Sequence, residues 1–413
     1  MNKEIIDNED LYAYMLRLKG MSGRLAKKLC KLNLSFENLL RTDSEILYPD
    51  ILMGDCAVSV NDEKDFIKLK KIKEDVLKEE AELKEEAKMF FADLLRKGIH
   101  WTHLNKHDYP FRLKNIADPP LMIFYKEKLP DDTRPCVAIV GARECSPYGE
   151  KTAAVFAREL SSVGVQIISG MARGIDGISQ RGAISVGGNT FGVLGCGVDV
   201  IYPEENKDLF ADILKDGGII SEFNPGTEPL KSYFPSRNRI ISGLSDIVLV
   251  VEARKRSGTY ITVTQALEQG RDVFAVPGRI TDALSDGCNN LIAQGAAIAL
   301  NSSILIEDLK NKGFKYVNGS FDIETKNYAQ SIKEDGLKAE NAEHCLSETD
   351  NESSTDSLEN IIYNLLIRSE MSLDAIYQAL GDKYSIEDLS IALVELEMDG
   401  KTVKNGSRYF AIV

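Results

Sequence analysis

The stretch CVAIVGARECSPYGEKTAAVFARELSSVGVQIISG, Cys136 to Gly170, decides the fold. It opens on an apolar run, turns at Gly141-Ala142-Arg143, passes through a segment of helical periodicity and closes on a second apolar run. A strand that is apolar on both faces must be covered on both, and a helix between two such strands makes them parallel. The alternation continues outward through TFGVLG, GIISEF, DIVLVVEA and DVFAVPG, with helical periodicity between most of them. Residues from about Cys136 to Ala299 therefore read as an α/β, extended Rossmann-like, doubly wound and mostly parallel sheet.

The chain has 413 residues, enough for two or three domains at roughly 150 residues each. Residues 1–97 read as a helical domain. LYAYMLRLKGMSGRLAKKLCKL joins two short helices through Gly20-Met21-Ser22-Gly23, a turn similar to a helix-hairpin-helix that presents backbone N–H groups to phosphate. A plain helical hairpin is the simpler reading, since glycine ends helices whatever their function. From Asn61 to Lys97, Leu69, Ile72, Val76, Leu83, Ala87, Phe90 and Leu94 recur at helical steps and predict one long amphipathic helix ending at Gly98. Residues 98–319 hold the sheet. Residues 320–356 are acidic, serine-rich and poor in large apolar side chains, the composition of a disordered linker. Residues 357–413 return to helical periodicity and end in KTVKNGSRYFAIV, a hairpin with Asn405-Gly406 at its turn. Three helices and a hairpin read as a winged-helix domain.

The formal net charge is -14, yet residues 321–360 carry three lysines against eleven acids, a local net of -8. The folded part is closer to neutral, and basic patches on it can still attract a polyanion. Seven cysteines lie scattered without a C-x-x-C pair, which argues against a disulfide framework and a zinc site. The acidic start MNKEIIDNED reads as no signal peptide, and no apolar run approaches the ~20 residues of a membrane span. The expectation is a cytoplasmic protein without membrane insertion, cofactor or metal.

A parallel sheet delivers every strand-following loop to one edge, where ligands bind. Those loops carry Gly141-Ala142-Arg143, Ser169-Gly170-Met171-Ala172-Arg173-Gly174-Ile175-Asp176, Gly195-Cys196-Gly197, then the segment with Lys231, Phe234, Arg237, Asn238 and Arg239, and finally Ser257-Gly258-Thr259. Small residues ahead of a helix let backbone N–H groups approach an anion. Neither the dinucleotide fingerprint nor a Walker A motif is present. Arginine forks match phosphate, and Phe234 offers a face to an unpaired base. The combination points to single-stranded nucleic acid. The competing reading packs Phe234 into the core and pairs one arginine with Glu222 or Asp246.

The series YPFRLKNIADPPLMIFY (Tyr109–Tyr125), VAIVGAR, SGMARGID, GCGVDVIYPEEN, FPSRNRIISGLS, SGTYITVTQALEQGRDVFAVPG and GCNNLIAQGA resembles the DNA-processing protein A family, DprA or Smf, from about Tyr109 to Ala296. The resemblance implies a dimeric recombination mediator without enzymatic activity. Such a protein binds single-stranded DNA and helps load the recombinase RecA in natural transformation and homologous recombination. It implies phosphate contacts for Arg143, Lys231 and Arg237, with Asn238 and Arg239 in the same motif, and base stacking for Phe234. The turns Ser169-Gly170 and Ser257-Gly258 would line the groove with backbone N–H groups. Two departures stand out: Ala142 replaces the serine of the family's G-S-R turn, and Ser257-Gly258-Thr259-Tyr260 differs from S-G-S-L.

An enzyme of the phosphoribohydrolase type is the alternative, with Asp176, Asp199 or Glu222 as the carboxylate. Asp176 reads more simply as the cap of the following helix. An adaptor binding only proteins would leave the arginines and Phe234 unexplained. His100, His103 and His107 have helical ligand spacing, but GIHWTHLNKHDYP reads as a strand running into a loop, so the spacing does not make a metal site. The third helix of the terminal domain, SIEDLSIALVELEMDG, has only acids among its charges, which predicts a protein-interaction or autoregulatory role.

Overall fold

The computed structural model describes residues 6–30, 32, 34–44, 47 and 60–321, and toward the C-terminus 362, 371–372, 376, 389, 392–393, 396, 402–405 and 408–411. The chain divides into two units, Met1–Lys333 and Glu334–Val413.

In the first unit the expected strands form β3 (Cys136–Val140), β4 (Gln166–Ser169), β5 (Thr190–Val193), β6 (Gly218–Ser221), β7 (Ile247–Val250) and β8 (Asp272–Ala275). Nearly all of their residues are buried, as strands covered on both faces must be. With β1 (His100–His103), β2 (Met122–Glu127) and β9 (Ala297–Ile298) they make a nine-stranded sheet in the order β1-β2-β6-β5-β4-β3-β7-β8-β9. The strands from β3 to β9 pair in parallel, whereas β1 and β2 extend the sheet antiparallel beyond β6. The chain winds from β3 out to β6 and then crosses back to β7 on the other side of β3. That reversal is the topological switch point, and the loops after β3 and β7 part there.

Helices α1 (Asn8–Leu18), α2 (Gly23–Cys30) and α3 (Phe36–Arg41) lie at the antiparallel end. A capping box starts α1: Asp7 accepts from the Asp10 N–H and Asp10 accepts from the Asp7 N–H. The same Asp10 accepts from buried Trp101 Nε1 at 2.7 Å, which ties α1 to β1. The turn at Gly20–Gly23 does not face outward to phosphate. A Cβ on Gly23 would lie 1.4 Å from the Pro119 carbonyl oxygen, and Asp118 accepts from the Arg24 N–H. Backbone of residues 118–121 occupies the place a phosphate would take.

The single long helix expected over 61–97 is two, α4 (Val60–Lys78) and α5 (Glu80–Arg96). Glu79 leaves helical geometry at φ -112 and ψ 18, and its carboxylate pairs with Lys19 at 2.6 Å. The break lets Leu69, Ile72 and Val76 on one side and Leu83, Ala87, Phe91 and Leu94 on the other all reach the core.

Further helices are α6 (Phe111–Lys114), α7 (Pro147–Ser162), α8 (Ile175–Ile184), α9 (Lys207–Asp216), α10 (Tyr233–Gly243), α11 (Thr259–Glu268), α12 (Asp286–Ala293) and α13 (Ser302–Asn311). The last strand pair of the unit, β10 (Tyr316–Val317) with β11 (Ser320–Phe321), takes the first two residues assigned to the linker. Phe321 is buried against Phe314 and Tyr316, which is why the fold reaches past Gly319. The rest of the 320–356 expectation lies outside the described residues.

In the second unit β12 (Met371–Ser372), β14 (Arg408–Ala411) and β13 (Thr402–Asn405) pair antiparallel in that order, with Asn405 opposite Arg408 at the end of the expected hairpin. The described cysteines of the chain are free thiols. No helix among the described residues is long and apolar enough to cross a membrane.

His103 is fully buried, and neither of its ring nitrogens has a hydrogen-bond partner among the described residues. Burial, then the Lys106 ammonium, lowers its pKa from 6.5 to about 3. The Asp10 carboxylate 3.6 Å away is engaged by Trp101 and Lys106, so the ring stays neutral. Asp7, Asp10 and His103 have metal-ligating groups in reach of one another, but the Lys106 ammonium sits 2.7 Å from Asp10 where a cation would bind. His100 and His107 are not in this group. Below pH 6.5 the unfolded chain takes up a proton at His103 that the folded chain refuses down to about pH 3, so stability falls with pH through that window. Urea unfolding should show a loss of about 2 kcal/mol from this group between pH 6.5 and about pH 5. In His103→Leu that acid limb should flatten; an unchanged limb would assign it to other groups.

Candidate nucleic-acid interface

The loops at the switch point enclose an open cavity of about 560 Å³. Arg143, Lys231, Phe234, Asn238, Ser257 and Gly258 line it. With Arg237, which also reaches it, seven of the ten expected site residues are thus brought together from three separate loops. An eighth, Gly170, meets Phe234 and Arg237 in a smaller adjoining cavity of about 50 Å³.

Arg143 stands on the turn between β3 and α7. Two features hold this turn in place. Gly174, at φ 69, comes so close that a Cβ would lie 2.3 Å from the Ala142 carbonyl oxygen. Glu252, buried at the end of β7, accepts from the Ser146 N–H at 2.9 Å and from its hydroxyl, fixing the start of α7. Arg143 itself is exposed and makes no hydrogen bond or ion pair among the described residues. Its guanidinium carbon lies 5.7 Å from the centroid of Phe234. Lys231 is likewise exposed and free of such partners among the described residues.

Phe234 is half-buried at the start of α10. Its ring rests on the backbone of Gly195, where a Cβ would stand 3.1 Å from the ring. Tyr202, 42% exposed, lies 5.5 Å from it between centroids. The ring is therefore neither core nor fully free: it is a supported platform at the cavity wall.

Arg237 does something other than the phosphate contact expected of it. It is 4% exposed, and its Nη1 donates to the carbonyls of Gly170, at 2.7 Å, and Val193. Its Nε donates to Asn238 Oδ1 at 3.2 Å. Burial lowers its pKa to about 10, opposed by the Asp176 carboxylate. Asp176 is not the helix cap, a position Gly174 holds. It is buried in the first turn of α8 and accepts from the Gly170 N–H at 3.1 Å. Burial pushes its carboxyl up, and Arg237 pulls it back. The two buried charges offset each other through space, and each is hydrogen-bonded to backbone.

Two expected contacts, Arg239 and Ser169, lie outside both cavities. Arg239 points to the other side of α10, where Glu222 accepts from its two Nη groups at 2.7 and 2.6 Å and the Asp118 carbonyl from its Nε at 2.9 Å. Ser169 is buried with its hydroxyl on the Ile139 carbonyl at 2.6 Å, and the Gly170 N–H is taken by Asp176. The Ser169-Gly170 turn thus offers neither its hydroxyl nor the Gly170 N–H to a ligand. The buried Ser257 hydroxyl has no hydrogen-bond partner among the described residues.

Sequence reading missed Arg17, Asp176 and Glu252 as the supports. Arg17 of α1 donates to the Glu222 carbonyl at 2.6 Å and to Asn224, and so anchors the loop that leads to Lys231. Its only sequence signal was a basic residue in the last turn of a helix. The acid of Gly-Ile-Asp did carry a signal, its place directly after the glycine turn.

The family model described as DNA recombination-mediator protein A matches residues 100–310. The DNA processing protein DprA of Streptococcus pneumoniae is 45% identical over 202 residues, covering 49% of this chain and 71% of the relative. That of Bacillus subtilis is 40% identical over 244 residues, covering 57% and 82%. The X-ray structure of the S. pneumoniae protein superposes at TM-score 0.57 with 35% identity, over 72% of this chain and 97% of its own.

Arg237→Ala should cost about 3–5 kcal/mol in urea unfolding, because it leaves Asp176 a buried, uncompensated charge. Arg143→Ala, on an exposed side chain, should stay within about 0.5 kcal/mol. Equal, small effects of both would contradict the division between a buried support and an exposed side chain.

Proposed function

The chain belongs to the DNA recombination-mediator protein A family, and we propose that it binds single-stranded DNA in the switch-point groove. Arg143 and Lys231 hold phosphate, an unpaired base stacks on Phe234, and Ser257 and Gly258 form the facing wall. The observation that carries the reading is the meeting of two exposed, unneutralised cations and a supported aromatic ring in one open cavity. A duplex keeps its bases stacked, so an aromatic platform favours a single strand. Arg237 and Asn238 act from beneath as positioning residues.

On this reading the protein is a binding protein and not an enzyme. The carboxylates that a hydrolase would need are already committed. Asp176 holds the Gly170 N–H, Glu222 pairs with Arg239, and Asp199 accepts from the Gly226 N–H at 2.6 Å. The family's description as a recombination mediator supports a role in which the bound strand is passed to RecA recombinase. That role serves DNA uptake and homologous recombination, in the cytoplasm and with the protein as a homodimer. The winged-helix expectation for residues 357–413 falls for the most part outside the described residues; on this reading the segment engages protein.

Fluorescence anisotropy with single- and double-stranded oligonucleotides at several salt concentrations tests this. The single strand should bind preferentially. Arg143→Ala should weaken it and reduce the slope of log affinity against log salt by about 0.7. Phe234→Ala should weaken it by about 1–3 kcal/mol at an unchanged slope. No strand preference, or unchanged binding in both variants, would remove the proposal. Release of free base from nucleoside monophosphates would favour the hydrolase instead.

A further inference from the structure

We propose that the groove between α7 and α8 is a second nucleic-acid contact, a phosphate track along which the bound strand continues away from the switch-point cavity. The inference rests on the single-strand reading of that cavity and extends it to a surface the reading does not use.

The two helices touch almost backbone to backbone: a Cβ on Gly182 would meet the Ala154 carbonyl oxygen at 3.0 Å. Above this contact lies an open groove of about 440 Å³. Its floor is uncharged, with Pro147, Ala154 and Ile178, and its rim carries Lys151, Arg158 and Arg181. All three cations are exposed and make no hydrogen bond or ion pair among the described residues. Glu150 is the acid of the lining. Arg181 lies within Coulombic reach of Asp212, but that carboxylate is paired with Lys215 at 2.8 Å.

The spacing suits a polyanion. Lys151 and Arg158 are seven residues apart on α7, so they share one face at a separation of about 10 Å along the helix. Arg181 joins them from the neighbouring helix. Position supports the same partner. Both helices start at the edge that carries the switch-point groove: Pro147 follows Arg143 by four residues, and Ile175 follows Arg173 by two. A strand leaving Arg143 across the start of α7 meets Lys151 within about two turns of helix. An acidic peptide would satisfy the charges but would have no reason to begin at Arg143; the continuity favours nucleic acid.

The test compares the full-length protein with the triple variant Lys151→Gln, Arg158→Gln, Arg181→Gln. Its control, Lys64→Gln, Lys68→Gln, Lys71→Gln on α4, makes the same change in net charge on exposed side chains. Anisotropy is read with oligothymidylates of about 8 and about 30 nucleotides, the shorter being enough for one groove. The triple variant should bind the short strand like the wild type. It should bind the long one about tenfold more weakly, with a salt slope shallower by about 2 for three lost phosphate contacts. The control should match the wild type on both. Equal affinity and slope for the long strand would overturn the proposal. So would a matching loss on the short strand, or on the control, which would make the effect one of overall charge. Failure of the switch-point reading would look different: short-strand binding would then be indifferent to Arg143→Ala and Phe234→Ala.

Discussion

The guanidinium of Arg237, buried beneath the switch point, is the interaction on which the site depends. It takes up the carbonyls of Gly170 and Val193, at the ends of two neighbouring strands, and faces Asp176 from the helix after one of them. A guanidinium stays charged in a protein interior, so a carboxylate has to accompany it. Through this one group the start of α10 is bound to the edge of the sheet. Positions three and four apart on a helix share a face, so fixing Arg237 inward brings Phe234 to the same edge. Arg239, two residues on, must point elsewhere, and Glu222 receives it. The three cations of one short segment therefore divide into an exposed Lys231 at the cavity, a support at Arg237 and a brace at Arg239.

On the proposed reading, the same geometry lets an acidic protein receive a polyanion. Charge matters by where it stands, and a groove between low-dielectric walls focuses the field of the cations that line it. Arg143 and Lys231 have no ion-pair partner among the described residues, while Asp176 is spent on the Gly170 N–H and the buried Arg237, and Glu252 on the start of α7. Exposed ion pairs such as Arg173 with Glu205 lie beside the cavity and add little to stability. The N-terminal helices take part from a distance: Arg17 holds the loop after β6 from the far end of the sheet.

Much of this was legible in the sequence, because strands buried on both faces write themselves as apolar runs. Every strand from β3 to β8 coincides with such a run, and their order alone brings Arg143, Phe234 and Ser257 to one edge. The division of labour among Arg237, Arg239 and Asn238 was not legible, since it depends on which face of α10 turns inward, and that is set by contacts far along the chain. The break at Glu79 escaped notice for a related reason. Its flanking residues keep helical periodicity, and the cause lies in Lys19 and in the two buried faces the break serves. Gly23 reads locally as an exposed turn, yet Pro119 closes over it. In each case the missing information was a partner distant in sequence.

The most direct measurement is a crystal structure of the protein with a short oligothymidylate. The account predicts phosphate oxygens within hydrogen-bond reach of Arg143 and Lys231, a base against the ring of Phe234, and Arg237 still on the carbonyls of Gly170 and Val193. A phosphate held by Arg237 released from those carbonyls, or a strand bound away from this groove, would contradict it.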